Sequence, residues 1–129
     1  MSATGEPRGV ILAADDDEDI LDLVCLTLEQ AGYEMLRASD GDEALELATR
    51  HRPDLCVLDV VMPSRTGPEV VDGLRASGET AGIPILLLTA TVHERDLLQG
   101  LEQDGNRFMR KPFSPRELQE RVASLLREG

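Results

Sequence analysis

A few side chains in this sequence have the types that handle phosphoryl groups, and each stands at or near the end of a short apolar or mixed run. "GVILAAD" closes on Asp15, with Asp16 and Asp17 behind it. "LCVLD" closes on Asp59, "IPILLLTA" carries Thr89, and "RFMRK" closes on Lys111, with Pro112 next. A carboxylate ending a buried strand demands an explanation, because a buried unpaired charge is among the costliest things a fold can hold. Carboxylates gathered within a few ångströms cannot all stay ionised unless a cation joins them. A hard divalent cation with oxygen ligands meets that need, and Mg²⁺ is the usual occupant of small carboxylate sites that also hold phosphate. The hydroxyl of Thr89 and the ammonium of Lys111 add donors for an anion. Together these groups describe a metal-assisted phosphoryl site with Asp59 as a carboxylate nucleophile.

Each piece alone has a plainer reading. An Asp run at a strand-to-helix junction is usually a helix cap, and Asp17 or Asp19 need do no more than that. A lone Thr after a strand says little, and Lys-Pro-Phe alone is a turn. The specificity lies in whether the fold brings these ends together.

The elements that would position them alternate. "DEDILDLVCLTLEQAG" places Ile20, Leu23, Val24, Thr27 and Leu28 at helical spacing, and Gly32 supplies the stop. "SDGDEALELATRH" opens on capping residues and sets Ala44, Leu47 and Ala48 on one face. "PEVVDGLRAS" and "HERDLLQGLEQ" are the third and fourth predicted helices, the latter with Leu97, Leu98 and Leu101 inward. "SPRELQERVASLLRE" is the fifth, with Ser114 as N-cap, Pro115 in the first turn and Glu117 closing a capping box. Between them lie five strands, including the mixed "EMLRA" and "RFMRK". Such alternation predicts an α/β fold, with a parallel sheet covered by helices on both faces. The apolar strands 1, 3 and 4 belong at the centre and the mixed strands 2 and 5 at the edges. The doubly wound, flavodoxin-like order 2-1-3-4-5 fits, with its ligand crevice outside the carboxyl ends of strands 1 and 3. Asp15, Asp16 and Asp59 then converge.

Composition narrows the classes. The chain has 129 residues, a formal net charge of −12 and only 2% aromatic residues, so one domain with an aliphatic core is expected. Nucleic-acid binding draws most of its affinity from Lys and Arg, which makes this acidic chain a poor direct candidate. No apolar run reaches membrane-spanning length and "MSATGEPRG" lacks a signal peptide's apolar region, so a soluble, cytoplasmic protein is expected. Cys25 and Cys56 lie inside apolar segments and read as buried free thiols. His51 sits at a helix end and His93 in a solvated first turn, and neither suggests catalysis.

From Val10 to Leu126 the chain resembles the receiver domain of two-component response regulators, through "ILAADDDEDI", "DLCVLDVVMPSRTG", "IPILLLTA" and "RFMRKPFSPREL". The resemblance implies residues 9–129 as the receiver and 1–8 as a flexible segment. It implies Asp59 as acceptor of a phosphoryl group from a histidine kinase or histidine phosphotransfer protein. Mg²⁺ would be held by Asp16 directly, Asp15 mainly through water, Asp59, and the backbone carbonyl of Val61. Thr89 matches the switch hydroxyl and the backbone N–H of Ala90 a second phosphoryl contact. Lys111 matches the phosphate-pairing lysine, in a Lys–Pro bond that the family usually holds cis. Phe108 matches the switch aromatic, on a signalling face made by the fourth predicted helix, strand 5 and the fifth predicted helix. That face would meet a downstream effector, and it allows homodimerisation on phosphorylation. Val61 and Thr91 would flank the approach of the hydrolytic water.

The sequence departs from the family's pattern in three places. Small Ala13 and Ala14 stand where bulky aliphatics are common, "QDGNR" replaces a stretch like "AGADD", and Phe108 replaces the commoner tyrosine. A rival reading is an aspartate-nucleophile hydrolase of the haloacid dehalogenase kind. It needs an Asp two residues after the nucleophile, where this chain has Val61. The other rival, a degenerate receiver acting as a constitutive interaction module, conflicts with the intact set Asp15, Asp16, Asp59, Thr89 and Lys111. A receiver turns over no external metabolite, so an enzyme is not expected. With no effector region after Gly129, either a stand-alone receiver or one cut from a longer protein is expected.

Overall fold

Two different helix faces are needed to bury a sheet that is apolar on both sides, and the chain supplies them by winding in two directions from β1. In the computed structural model, which describes residues 8–90 and 108–128, the order begins β1 (Val10–Ala14), α1 (Glu18–Gln30), β2 (Glu34–Ala38), α2 (Gly41–His51). It continues β3 (Leu55–Asp59), α3 (Gly67–Arg75), β4 (Ile85–Thr89), β5 (Phe108–Arg110) and α4 (Pro115–Glu128). The sheet runs β2-β1-β3-β4-β5 with every neighbouring pair parallel, the order expected from strand composition. The helix expected over "HERDLLQGLEQ" lies outside the described residues, so four helices are described. None of the described helices is long and apolar enough to cross a membrane.

Period-2 alternation divides the central strands between two cores. Ile11, Leu55, Val57 and Leu86 point to one face, where Val24 and Leu28 of α1 and Leu118 of α4 cover them. Leu12, Cys56, Leu58 and Leu87 point to the other, under α2 and α3. Burying each such aliphatic side chain stabilises the fold by about 1.5–3 kcal/mol. The small residues at the end of β1 have partners of the same kind. Ala14 lies beside Ala38 in register and shares a core cluster with Ala44 and Ala48 of α2, so that helix can lie low on the sheet.

Caps fix where the helices begin. The Asp17 carboxylate accepts from the amides of Asp19 and Ile20 at the start of α1. Asp40 does the same for Glu43 in α2. Thr66 and Glu69 close a capping box on α3, and Ser114 and Glu117 the expected one on α4. Gly32, at φ +101°, takes the left-handed turn after α1.

The expected inner stripe of α1 needs one correction. Leu23 is 38% exposed, whereas Val24, Thr27 and Leu28 are buried as expected, joined by Leu21 and Cys25. A stripe at 21, 24, 25 and 28 keeps the i, i+3, i+4, i+7 spacing, and Leu23, two residues from Leu21, falls nearly opposite. Arg8, in the expected N-terminal segment, donates through its N–H to the Gly32 carbonyl (2.8 Å) and stacks over the Tyr33 ring. Both cysteines are buried free thiols, and burial pushes that of Cys56 up to about 12.

One glycine joins α3 to the end of β3. A Cβ added at Gly67 would stand 2.6 Å from the Asp59 carbonyl oxygen and 2.7 Å from a Leu87 methyl, closer than real contacts allow. Gly67→Ala should therefore destabilise the protein by about 1–3 kcal/mol in urea unfolding. Gly78→Ala, with nothing within 4 Å of the added methyl, should be neutral or mildly stabilising. Equal losses in the two variants would refute this tight contact.

Candidate functional site

The side chains beyond the strand ends meet because the parallel ladders carry them there. Ala14 pairs with Leu58 in register, so the next residues, Asp15 and Asp59, lie side by side at the carboxyl edge of the sheet. The Asp15 amide donates to the Ala38 carbonyl (3.2 Å), extending the edge one residue past β1. On the far side the Lys111 amide donates to the Thr89 carbonyl (2.8 Å), carrying Lys111 past β5 towards the same edge. The Lys111–Pro112 bond is cis, as the resemblance implied.

Lys111 lies between two carboxylates. Its Nζ is 3.0 Å from Asp59 Oδ1 and 3.1 Å from Asp15 Oδ2, and its side chain is only 16% exposed. Desolvation works against the ammonium, but the hydrogen bonds and charges of Asp59 and Asp15 outweigh it and raise the lysine above its ordinary range. The ammonium is therefore charged at neutral pH. Asp15 has a further role, since its Oδ1 accepts from the Asp17 amide (3.0 Å) and braces the turn into α1.

Three carboxylates gather beside this ammonium. Asp15, Asp16 and Asp59 each offer a carboxylate oxygen within 4.8 Å of the others, with Asp15 and Asp59 buried and Asp16 exposed. These donors are all hard oxygens, with no thiolate or imidazole among them, which suits Mg²⁺ or Ca²⁺ rather than a softer metal. Exposure at Asp16 also suits an ion such as Mg²⁺ that keeps several of its waters. The residues present fit the group.

Thr89 ends β4 and is buried, with Ala90 exposed just beyond it. Val61, two residues past Asp59, is 49% exposed, whereas Val60 is buried completely. Phe108 is half-buried against the core on the α2 and α3 side, opposite Leu87 in register. Thr91 lies outside the described residues. Sequence reasoning missed what holds the β3–α3 loop. The Thr66/Glu69 capping box was legible as T-x-x-E, but the contact of Gly67 with β3 depends on packing that no local pattern reports.

A family model, described as the response regulator receiver domain, matches residues 11–123. The alkaline phosphatase synthesis transcriptional regulatory protein PhoP of Bacillus subtilis is 47% identical over 119 residues, 92% of this chain and 49% of that protein. RpaA of Synechocystis sp., named as a DNA-binding dual master transcriptional regulator, is 42% identical over 91% of this chain and 48% of its own length. The chain thus spans about half the length of these curated relatives. The solved chemotaxis response regulator CheY4 of Vibrio cholerae superposes with a TM-score of 0.80 at 35% identity, over 90% of this chain and 97% of that one. The expectation of no direct nucleic-acid contact rests on the charge of this stretch and does not extend to such longer relatives.

The acidic cluster makes a stability prediction. Mg²⁺ should raise the melting temperature, since a ligand that binds only the native state stabilises it by mass action and this one also relieves carboxylate repulsion. Asp16→Ala should shrink that shift while leaving the metal-free protein at least as stable. Thermal unfolding with and without Mg²⁺ measures both, and a full-sized metal shift in the variant would remove Asp16 from the ligand set.

Proposed function

The chain belongs to the response regulator receiver domain family and is a receiver domain of two-component signal transduction, and we propose that Asp59 is its phosphoacceptor. The observation that carries this is the Asp59 carboxylate itself. It stands at the end of a buried strand, 3.0 Å from the Lys111 ammonium and within 4.8 Å of the Asp15 and Asp16 oxygens.

In this reading an Asp59 carboxylate oxygen attacks the phosphorus of a phosphohistidine. The new O–P bond forms as the P–N bond breaks, and the imidazole leaves with the bonding pair. A Mg²⁺ held by Asp15, Asp16, Asp59 and the Val61 carbonyl would offset the charge that the cluster gains with the phosphoryl group. Lys111, already in contact with Asp59, is at hand to pair with a phosphoryl oxygen. The Thr89 hydroxyl and the Ala90 amide supply further donors from the neighbouring strand end. Burial of Asp15 and Asp59 strengthens each of these contacts, because water screens them less.

The output in this reading is a change of surface. Thr89 turns towards the phosphoryl group, and Phe108 moves into the space it leaves. The face so altered includes β5 and α4, together with the fourth predicted helix outside the described residues. Its partners are a histidine kinase or histidine phosphotransfer protein upstream, and a downstream effector or a second copy of the domain. Residues 9–129 form the domain in this reading.

Two outcomes test the proposal. Incubation with acetyl phosphate and Mg²⁺ should add one phosphoryl group by intact-mass analysis, and Asp59→Asn or a chelator should abolish the addition. Labelling that survives either change removes Asp59 from the role. The phosphorylated state should then decay slowly, on the order of minutes to hours, because the exposed side chain of Val61, two residues past Asp59, has no group to hydrogen-bond an attacking water. Val61→Asn should speed the decay about tenfold, equivalent to about 1.4 kcal/mol of barrier. An unchanged lifetime in the variant would show that this side chain is neutral.

A further inference from the structure

We infer that the N-terminus of α2 is a clamp that positions the metal-binding loop after β3, so that metal affinity at the acidic cluster is set in part by Ser64 and Arg65. The inference rests on the reading of the Val61 carbonyl as a metal ligand. Ser64 and Arg65 act through that carbonyl and are positioning residues; neither is among the three acidic groups of the cluster.

Residues 60–66 leave the sheet at Asp59 and return at Gly67, and the loop is fastened on both sides of Val61. On the near side the Val60 amide donates to the Leu88 carbonyl (3.0 Å), while the Val60 carbonyl accepts from the Gly67 amide (2.8 Å). On the far side Met62 is buried in the core beneath α2 and α3. The next residues are held by α2 itself. The Gly41 amide donates to the Pro63 carbonyl (3.0 Å), and the Asp42 amide donates to Ser64 Oγ (2.9 Å). Ser64 Oγ in turn donates to Asp40 Oδ1 (3.2 Å), the same oxygen that caps the helix at Glu43. Arg65 Nε donates to Asp42 Oδ1 (2.6 Å).

Two features mark the clamp as more than a passing contact. Ser64 adopts φ +65°, a left-handed conformation that is uncommon for a non-glycine residue and that persists only where its surroundings fix it. A Cβ added at Gly41 would stand 2.1 Å from the Arg65 carbonyl oxygen, so the two backbones touch directly. The first amides of α2 have no partners within their own helix, and the loop satisfies two of them. Between the fastened ends lies Val61, whose peptide must face the metal at a fixed distance to serve as ligand. Outer contacts of this kind orient a ligand and tune affinity without touching the ion.

The test is calorimetric titration of the full chain with Mg²⁺, together with amide hydrogen exchange at Gly41 and Asp42. Ser64→Ala/Arg65→Ala should weaken Mg²⁺ binding about tenfold. Arg50→Ala removes an equal charge from the exposed Arg50–Glu46 pair on the same helix and should not weaken it. The sign is diagnostic, because removing a positive charge near an acidic site would by electrostatics alone tighten binding. Reciprocity requires that Mg²⁺ also slow exchange of the Gly41 and Asp42 amides in the wild type. Binding by the double variant that matches or exceeds the wild type, or exchange at those amides indifferent to Mg²⁺, overturns the inference while leaving the metal site intact. Wild-type binding that is absent, or insensitive to Asp16→Ala, overturns the metal reading and the clamp with it.

Discussion

The contact on which the carboxyl edge of the sheet depends is the Lys111 ammonium held between Asp15 and Asp59. Two buried carboxylates at neighbouring strand ends are tolerable only with a cation between them, and breaking such a buried pair typically costs about 3–5 kcal/mol. Lys111 reaches that position only if β5 pairs with β4 in the observed register and its own amide continues the ladder to Thr89. The three-residue strand Phe108–Arg110 thus serves the site as much as the sheet. Among the described residues, the carboxylates of Asp15, Asp16 and Asp59 gather about that ammonium. Carboxylates gathered this closely repel one another, which leaves a further cation something to gain.

A charged edge needs a stiff support, and the three central strands provide it. β3 and β4 are buried along their whole length, and β1 from Ile11 to Ala14. Each is packed from both sides, so a shift of any strand would disturb two cores at once. Close packing of this kind transmits displacement rather than absorbing it. Thr89 and Phe108 lie on such connected elements. The same argument explains why Gly67 must lack a side chain: the start of α3 rests against the backbone of the strand that carries Asp59.

Legibility in the sequence followed the range of the interaction. Caps at Asp17 and at Ser114 with Glu117 were readable because they involve residues two or three apart. Sheet order was readable because burial on both faces leaves its mark on composition, with "LCVL" and "ILLL" against "EMLRA". The approach of Asp15 to Asp59 followed from that order. Leu23 was misplaced because the leucines of "LDLVCLTL" give two overlapping helical stripes, and only packing against the sheet and α4 selects the one with Leu21 and Cys25. That Lys111 would bridge both carboxylates was not readable, since the geometry depends on how far the β4–β5 ladder runs past its last paired residues. Nor was the strap from Asp40, Gly41 and Asp42 to residues 63–65, where the partners stand more than twenty positions apart and look like ordinary turn and capping residues.

The site therefore divides into parts of different stiffness. Asp15, Asp59, Thr89 and Lys111 stand at the ends of strands, where the ladders fix the backbone to within the tolerance of a hydrogen bond. Asp16 and Val61 stand on connections, and both are exposed. In the proposed metal site the second group must come to the first, and loops are placed less accurately than strands unless something else holds them. For Asp16 that support is the turn braced by Asp15 and Asp17, whose contacts lead directly into α1. For Val61 it is the start of α2, reached through Pro63, Ser64 and Arg65. Each of these connections is thus tied to the N-terminal turn of a helix, where amides without partners in the helix are available to take up loop oxygens. The rigid strands set where charge gathers, and the helix starts set how closely the loops can follow it.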